Sequence, residues 1–306
     1  MSSLEEPRRF AREEVLRHCL SVTLNLTLAA RWMIVQTSDF RLTTGPNRPP
    51  EETAQKQVIL KYRDWTGLLC YTGIARWFSH DTAQWLTRIL THGPGEQRSP
   101  QEVITVLVNE GGWLGRVHPD QRKHTFTLAL FANKLPWVCM VSNYQRAGQD
   151  DLPQALDHFI VTCHRPRPSR VYPTGWTQVV DDRDRKELLE QLNSERDPHA
   201  LRRSAANVSR RCAGKSQQMV GENCVVAHLL PDGSGEVQVF GNPEEAFVPT
   251  MIVNGENVAK FAPIVFQEAG ATTPQRLVGV TWNRSGEPVQ VLAGYRDVTN
   301  ISDPGW

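Results

Sequence analysis

Residues 23–42 read TLNLTLAARWMIVQTSDFRL, and residues 51–73 read EETAQKQVILKYRDWTGLLCYTG. In the first stretch Leu24, Leu26 and Leu28 alternate with Thr23, Asn25 and Thr27, the period-2 pattern of a half-buried strand. Residues 32–38 continue as a second strand, which ends on Asp39-Phe40-Arg41. A loop rich in Thr, Gly and Pro, residues 43–50, separates this hairpin from the next. Lys56 opens a third strand over residues 57–62. A turn at Asp64-Trp65-Thr66 leads to a fourth, residues 67–71, closed by Tyr71-Thr72-Gly73. Two hairpins in succession therefore carry Thr23, Asp39, Arg41, Lys56 and Gly73 at strand starts and strand ends.

Working outward, residues 5–20 predict a short helix with Pro7 in its first turn and an apolar stripe of Phe10, Val15 and Leu16. After Gly73 two helices are expected. One is capped by Ser79 or Asp81 and carries Trp85, Leu86, Ile89 and Leu90. The other is capped by Ser99, with Pro100 first and Glu102 three residues on. Strands follow over residues 125–131, 137–143 and 159–164. Residues 165–175 (RPRPSRVYPTG) read as a loop. Two further helices, 182–192 and 199–211, precede a hairpin of residues 224–230 and 236–240 around Pro231-Asp232-Gly233. Beyond it lie β-like runs at 248–253, 263–266, 277–282 and 289–292. Strands and helices come in blocks, which fits antiparallel sheets with helices outside them.

Bulk composition narrows the function classes. With 40% hydrophobic and 22% charged residues, the 306-residue chain has enough apolar material for a buried core. The net charge of +1 argues against a surface built for nucleic acid. No apolar run is long enough to span a bilayer, and the charged N-terminal twenty residues lack a signal-peptide core, so no membrane partner and a cytoplasmic location are expected. The six cysteines fit no metal-ligand spacing and read as buried reduced thiols; no metal or cofactor is expected. Asp181, Asp182 and Asp184 read as an acidic helix start rather than a metal cluster.

Taken together, the Thr at 23, the Asp-x-Arg sixteen residues on (Asp39, Arg41), the Lys at 56 and the Gly at 73 resemble the start of a proteasome β-type subunit, of the N-terminal-nucleophile (Ntn) hydrolases. Gly175 in Thr-Gly-Trp and residues 204–233 extend the resemblance over about three-quarters of the chain. The resemblance implies an α+β fold, a four-layer αββα sandwich of two antiparallel sheets between helix layers. Residues 1–22 would be an N-terminal helical segment or propeptide, 23–242 the Ntn domain, and 243–306 a C-terminal β extension. It also implies an amide or peptide hydrolase with Thr23 as nucleophile and, through its freed α-amine, as base. Lys56 and Asp39 would tune that nucleophile, Gly73 would donate to the oxyanion, and Arg41 would be a structural neighbour. A homo-oligomer or ring, acting on a peptide or small amide, is implied as well.

Departures from that pattern keep a second reading open. Val22 stands where autocleavage in the family commonly follows Gly, and Gln57 separates Lys56 from the apolar run. The late acidic and Ser-Gly elements of the family have only Lys215-Ser216 and Gly221 as counterparts. The alternative is a catalytically silent binding or assembly subunit. Cys19 and Ser21 are other hydroxyl or thiol candidates, at the wrong spacing from Asp39.

Overall fold

The computed structural model describes residues 23–42, 49–77, 79–117, 123–241, 244, 250–258, 277–282 and 288–293. The expected helix of residues 5–20, most of the 43–50 loop and the expected strand at 263–266 lie outside them. Two hairpins start the described chain: β1 (Leu24–Ala29) with β2 (Ile34–Asp39), and β5 (Gln57–Lys61) with β6 (Thr66–Thr72). Between them sits a two-stranded ribbon, β3 (Arg41–Leu42) with β4 (Glu51–Glu52). A second ribbon, β7 (Arg76–Trp77) with β8 (His80–Asp81), follows.

Helix α1 (Thr82–Leu90) starts on Asp81, whose carboxylate accepts from the Gln84 amide. Helix α2 (Pro100–Gly111) has a full capping box: Ser99 accepts from the Glu102 amide while Glu102 reaches back to the Ser99 amide. Strands β9 (Thr125–Ala132), β10 (Leu135–Ser142), β11 (Ile160–His164) and β12 (Arg170–Gly175) come next, then α3 (Asp182–Ser194) and α4 (Pro198–Lys215). β13 (Cys224–Leu229), β14 (Gly235–Phe240), β15 (Thr250–Val253), β16 (Glu256–Asn257), β17 (Leu277–Trp282) and β18 (Pro288–Ala293) complete the order.

One seven-stranded sheet runs β12-β1-β2-β13-β14-β17-β18, all antiparallel; a second runs β11-β10-β9-β6-β5-β15-β16, with β15 parallel to β5. Apolar side chains of both sheets, among them Ile34, Ile59, Leu68, Val225 and Val237, meet in a layer between them. On the outside, Leu188, Leu192, Leu201 and Ala205 of α3 and α4 cover Leu24, Leu26 and Leu28. Trp85, Leu86, Val103 and Leu107 of α1 and α2 cover the second sheet.

The expected fold class is corrected here. The protein is mostly β, with two wide sheets, two short ribbons and four α-helices among the described residues, and not a four-layer αββα sandwich. Seven strands at about 4.8 Å spacing make a sheet about 30 Å across. A helix pair at about 10 Å separation covers about two-thirds of that. Accordingly α3 and α4 rest mainly on β12, β1, β2 and β13 of their sheet, with Arg202 of α4 reaching Glu236 of β14. The helices are patches on the sheets rather than layers.

Two local expectations also change. β1 is buried along its whole length, not half-buried, because its polar residues face the second sheet instead of water. Residues 170–175 form a strand rather than a loop. Pro173 is tolerated there because β12 is the edge of its sheet.

Candidate active site

The site lies where the layer between the sheets turns polar. The β1–β2 hairpin sets Asn25 opposite Ser38, which brings Asp39 beside the start of β1. Asp39 is fully buried and both its oxygens are engaged: Oδ2 accepts from the Leu24 amide at 2.9 Å, and Oδ1 from the Arg41 amide at 2.9 Å and from Lys56 Nζ at 2.6 Å. Lys56 comes from the other sheet, one residue before β5. Its Nζ also donates to the Arg41 carbonyl at 2.5 Å. Both charged side chains are 0% exposed. Taking two ions out of water costs several kcal/mol each and is tolerated only with such complete pairing.

Arg41 does not join this pair through its side chain. Its guanidinium donates Nε to Glu52 Oε1 at 2.8 Å and Nη1 to the Gln218 carbonyl at 3.1 Å. Burial raises the Glu52 carboxyl above its ordinary range, against the pull of Arg41. Sequence reading missed Glu52. The signal was cross-strand charge complementarity, since Arg41 and Glu52 are directly opposed in the β3–β4 ribbon.

Thr23 is buried at the foot of β1. Its carbonyl accepts from the Trp176 amide at 2.9 Å. The neighbouring Gly175 has φ +84°, and a Cβ there would lie 1.9 Å from the Thr23 carbonyl oxygen, so only glycine permits this approach. The Thr23 hydroxyl hydrogen-bonds neither Lys56 nor Asp39, nor any other described group. Lys56, Asp39 and the Thr23–Leu24 backbone are thus brought together while the hydroxyl itself is unengaged.

Gly73 follows β6 with φ +107°. A Cβ on it would lie 2.4 Å from His124 Nδ1 and 2.5 Å from the Lys123 carbonyl. The adjacent Thr72 methyl lies 3.0 Å from the Cβ position of Gly175, which links Gly73 to the Thr23 end of the layer. Burial, with the charge of nearby His80 adding, pushes His124 down to about 3, against a Thr72 backbone contact that favours the proton. His124 is therefore a neutral, fully buried imidazole at physiological pH.

Other sequence candidates lie elsewhere. Lys215 pairs with Asp181 at 2.8 Å and Asp184 at 2.6 Å, holding α4 to the start of α3, whose N-cap is Asp181. Ser216 Oγ donates to the Ala213 carbonyl and accepts from the Val220 amide. The reading of all cysteines as buried thiols is corrected. Cys139 and Cys163, directly opposed between β10 and β11, form a disulfide, and Cys163 is exposed on the edge strand. Cys70, Cys212 and Cys224 are free and buried. Burial pushes the Cys224 thiol up to about 12, which leaves no thiolate at neutral pH. Cys19 and Ser21 lie outside the described residues. Among the described residues no group of three or more His, Cys, Asp or Glu is placed to hold a metal ion, and no helix is long and apolar enough to cross a membrane.

No family model matches the chain, and no curated protein matches it. Solved structures similar to it include Anbu (ancestral beta-subunit) from Yersinia bercovieri, at 14% identity and a TM-score of 0.46, covering 68% of this chain and 82% of that one. Anbu from Hyphomicrobium sp. strain MC1 is similar at 10% identity, a TM-score of 0.46 and the same coverage. A (Gly-1) mutant of it is similar at 12%, 0.44, and 68% and 81%. These structures are Anbu proteins and none of the three is a proteasome β-type subunit, so the family expected from the sequence motifs is corrected on this point. Likeness of this degree assigns no activity.

Proposed function

We propose that this protein is an amide or peptide hydrolase whose nucleophile is Thr23, made competent by removal of residues 1–22. The observation that supports the reading is the Lys56–Asp39 pair, wholly buried and tied to the Leu24 amide that follows the candidate nucleophile and to the Arg41 carbonyl. A buried charge pair is no efficient source of stability, and its tie to the backbone amide next to Thr23 favours a chemical role.

In this mechanism the freed α-amine of Thr23 takes the proton from Oγ, and Oγ attacks the amide carbonyl. The Lys56 ammonium favours the alkoxide-like form of Oγ, while Asp39 and the Arg41 carbonyl fix the ammonium. The Gly73 amide is the candidate oxyanion donor. The protonated amine then passes its proton to the leaving amine, and water hydrolyses the resulting ester. A peptide or small amide is the substrate class, and self-association into an oligomer or ring belongs to the same proposal.

A second reading, a silent binding or assembly subunit, is favoured by one observation: the Thr23 hydroxyl touches neither Lys56 nor Asp39. Intact mass and N-terminal sequencing of the purified protein separate the two. A chain starting at Thr23, lost in Thr23→Ala, is the expected result. A stable chain still carrying residues 1–22, unreactive toward amide substrates and toward electrophiles that trap N-terminal threonines, would sink the hydrolase.

A further inference from the structure

Between the two glycines that flank the candidate site lies a buried carboxamide that neither the sequence motifs nor the mechanism uses. Gln145 follows β10 and is 1% exposed. Its Oε1 accepts from the Gly175 amide at 3.1 Å and from Thr125 Oγ1 at 3.0 Å, and its Nε2 donates to Asp151 Oδ2 at 3.2 Å. A backbone amide can only donate and a carboxylate can only accept, so the orientation of the carboxamide is fixed at both ends. Its own amide donates to Ser142 Oγ, the same oxygen that donates to the His124 carbonyl behind Gly73. One side chain therefore ties β9 of the second sheet to Gly175 of the first, the residue in closest approach to Thr23.

We propose that Gln145 is a positioning residue of the Thr23 site: by holding the Gly175 amide it seats Gly175–Trp176 against the Thr23 carbonyl and so sets Thr23 relative to the Lys56–Asp39 pair. Its catalytic consequence rests on the hydrolase reading, whereas its structural part does not. The Gly175 amide has no freedom to find another partner without lifting off Thr23, because the chain there already approaches as closely as glycine allows. Leucine at 145 fills the same volume and offers no acceptor. Glutamate keeps the acceptor but sets a second carboxylate against Asp151, a conflict that Asp151→Asn removes.

The test uses the full chain with Gln145→Leu, Gln145→Glu and the double variant Gln145→Glu/Asp151→Asn. Amide hydrogen exchange is followed in peptides containing Gly175 and Trp176, and in peptides from β13 and β14 as an internal control. Loss of one buried hydrogen bond predicts exchange about tenfold faster at Gly175–Trp176 in Gln145→Leu, with β13 and β14 unchanged. The double variant should return to the wild-type rate. In processed protein, kcat should fall about tenfold or more in Gln145→Leu with KM little changed, and recover in the double variant. Unchanged exchange at Gly175–Trp176, or exchange raised equally throughout the protein, overturns the proposal. If the wild-type chain never exposes Thr23, the hydrolase reading fails, while the local exchange comparison still decides whether Gln145 seats Gly175.

Discussion

The layer between the two sheets has two halves built on opposite principles. At one end Ile34, Ile59, Leu68, Val225 and Val237 interdigitate with no polar atom among their side chains. At the other, Asn25, Thr27, Gln36, Ser38, Gln57, Asp39 and Lys56 are equally dry. There they are held by directed bonds: Ser38 Oγ to Asn25 Oδ1 at 2.6 Å, Asn25 Nδ2 to the Tyr71 carbonyl at 3.0 Å, and Gln57 Nε2 to the Gln36 carbonyl at 3.2 Å. Apolar packing tolerates volume-conserving change, whereas a buried polar network is costly as soon as one member is lost. The difference teaches where chemistry can be housed: the polar half holds a charged pair in fixed geometry against the Thr23–Leu24 backbone, at a stability cost that the apolar half offsets.

The largest break in that comparison is Lys56→Met. It leaves Asp39 buried without its counter-charge, so stability should fall by about 3–5 kcal/mol, read from urea denaturation midpoints. Asp39→Asn with Lys56→Met should recover most of the stability while Thr23 stays unreactive. If the single variant is as stable as the wild type, Asp39 is not the desolvated, charge-dependent group described above.

Acid acts on buried imidazoles next. His124 at the polar end, and His228 beside Arg202 and His199 on the far side, are each pushed down to about 3, mainly by burial. Their folded values lie below the unfolded value of about 6.5, so the unfolded chain binds more protons once pH drops below about 6.5. Stability is therefore fully present above that pH and declines as pH falls toward 3, by up to about 1.4 kcal/mol per pH unit for each histidine. His124→Gln should flatten the slope between pH 6 and pH 4 by about one proton's worth. An unchanged slope would mean that His124 is solvated in the native state.

Much of the local structure was legible. Alternation located β1, and Ser99 with Glu102 fixed one helix start while Asp81, one of two candidates with Ser79, proved to be the other, because these signals act within a few residues. Alternation says that two faces differ, not what lies opposite. The polar face of β1 was assigned to water when it meets the second sheet. Block order could not give the width of the sheets, which β15, β17 and β18 extend from the C-terminal quarter, and so the class was misjudged. Pro173 concealed an edge strand, and the Cys139–Cys163 pairing needs the β10–β11 register, which no spacing reveals. Within the site, the pairing of Asp39 with Lys56 was implied by the resemblance that the motif order carries. His124 and Gln145 act through contacts between distant segments and leave no local signature, whereas Glu52 had one in its charge complementarity with Arg41 across the β3–β4 ribbon.

The smallest effect sharpens the comparison from the apolar side. Ile59 lies on β5, three residues from Lys56, directly opposite Leu68 of β6 and 1% exposed. Ile59→Val removes one methylene from a layer whose neighbours can partly close the gap, and should cost about 0.5–1.5 kcal/mol. Because β5 is pinned on both sides by the β6 and β15 ladders, the loss should stay local and leave Lys56 in place. The expected result is a modest drop in the denaturation midpoint with no change in the reactivity of Thr23. A large loss of Thr23 reactivity at this small stability cost would show that the two halves are mechanically coupled along β5, and that the polar end depends on apolar packing for its geometry as well as for its stability.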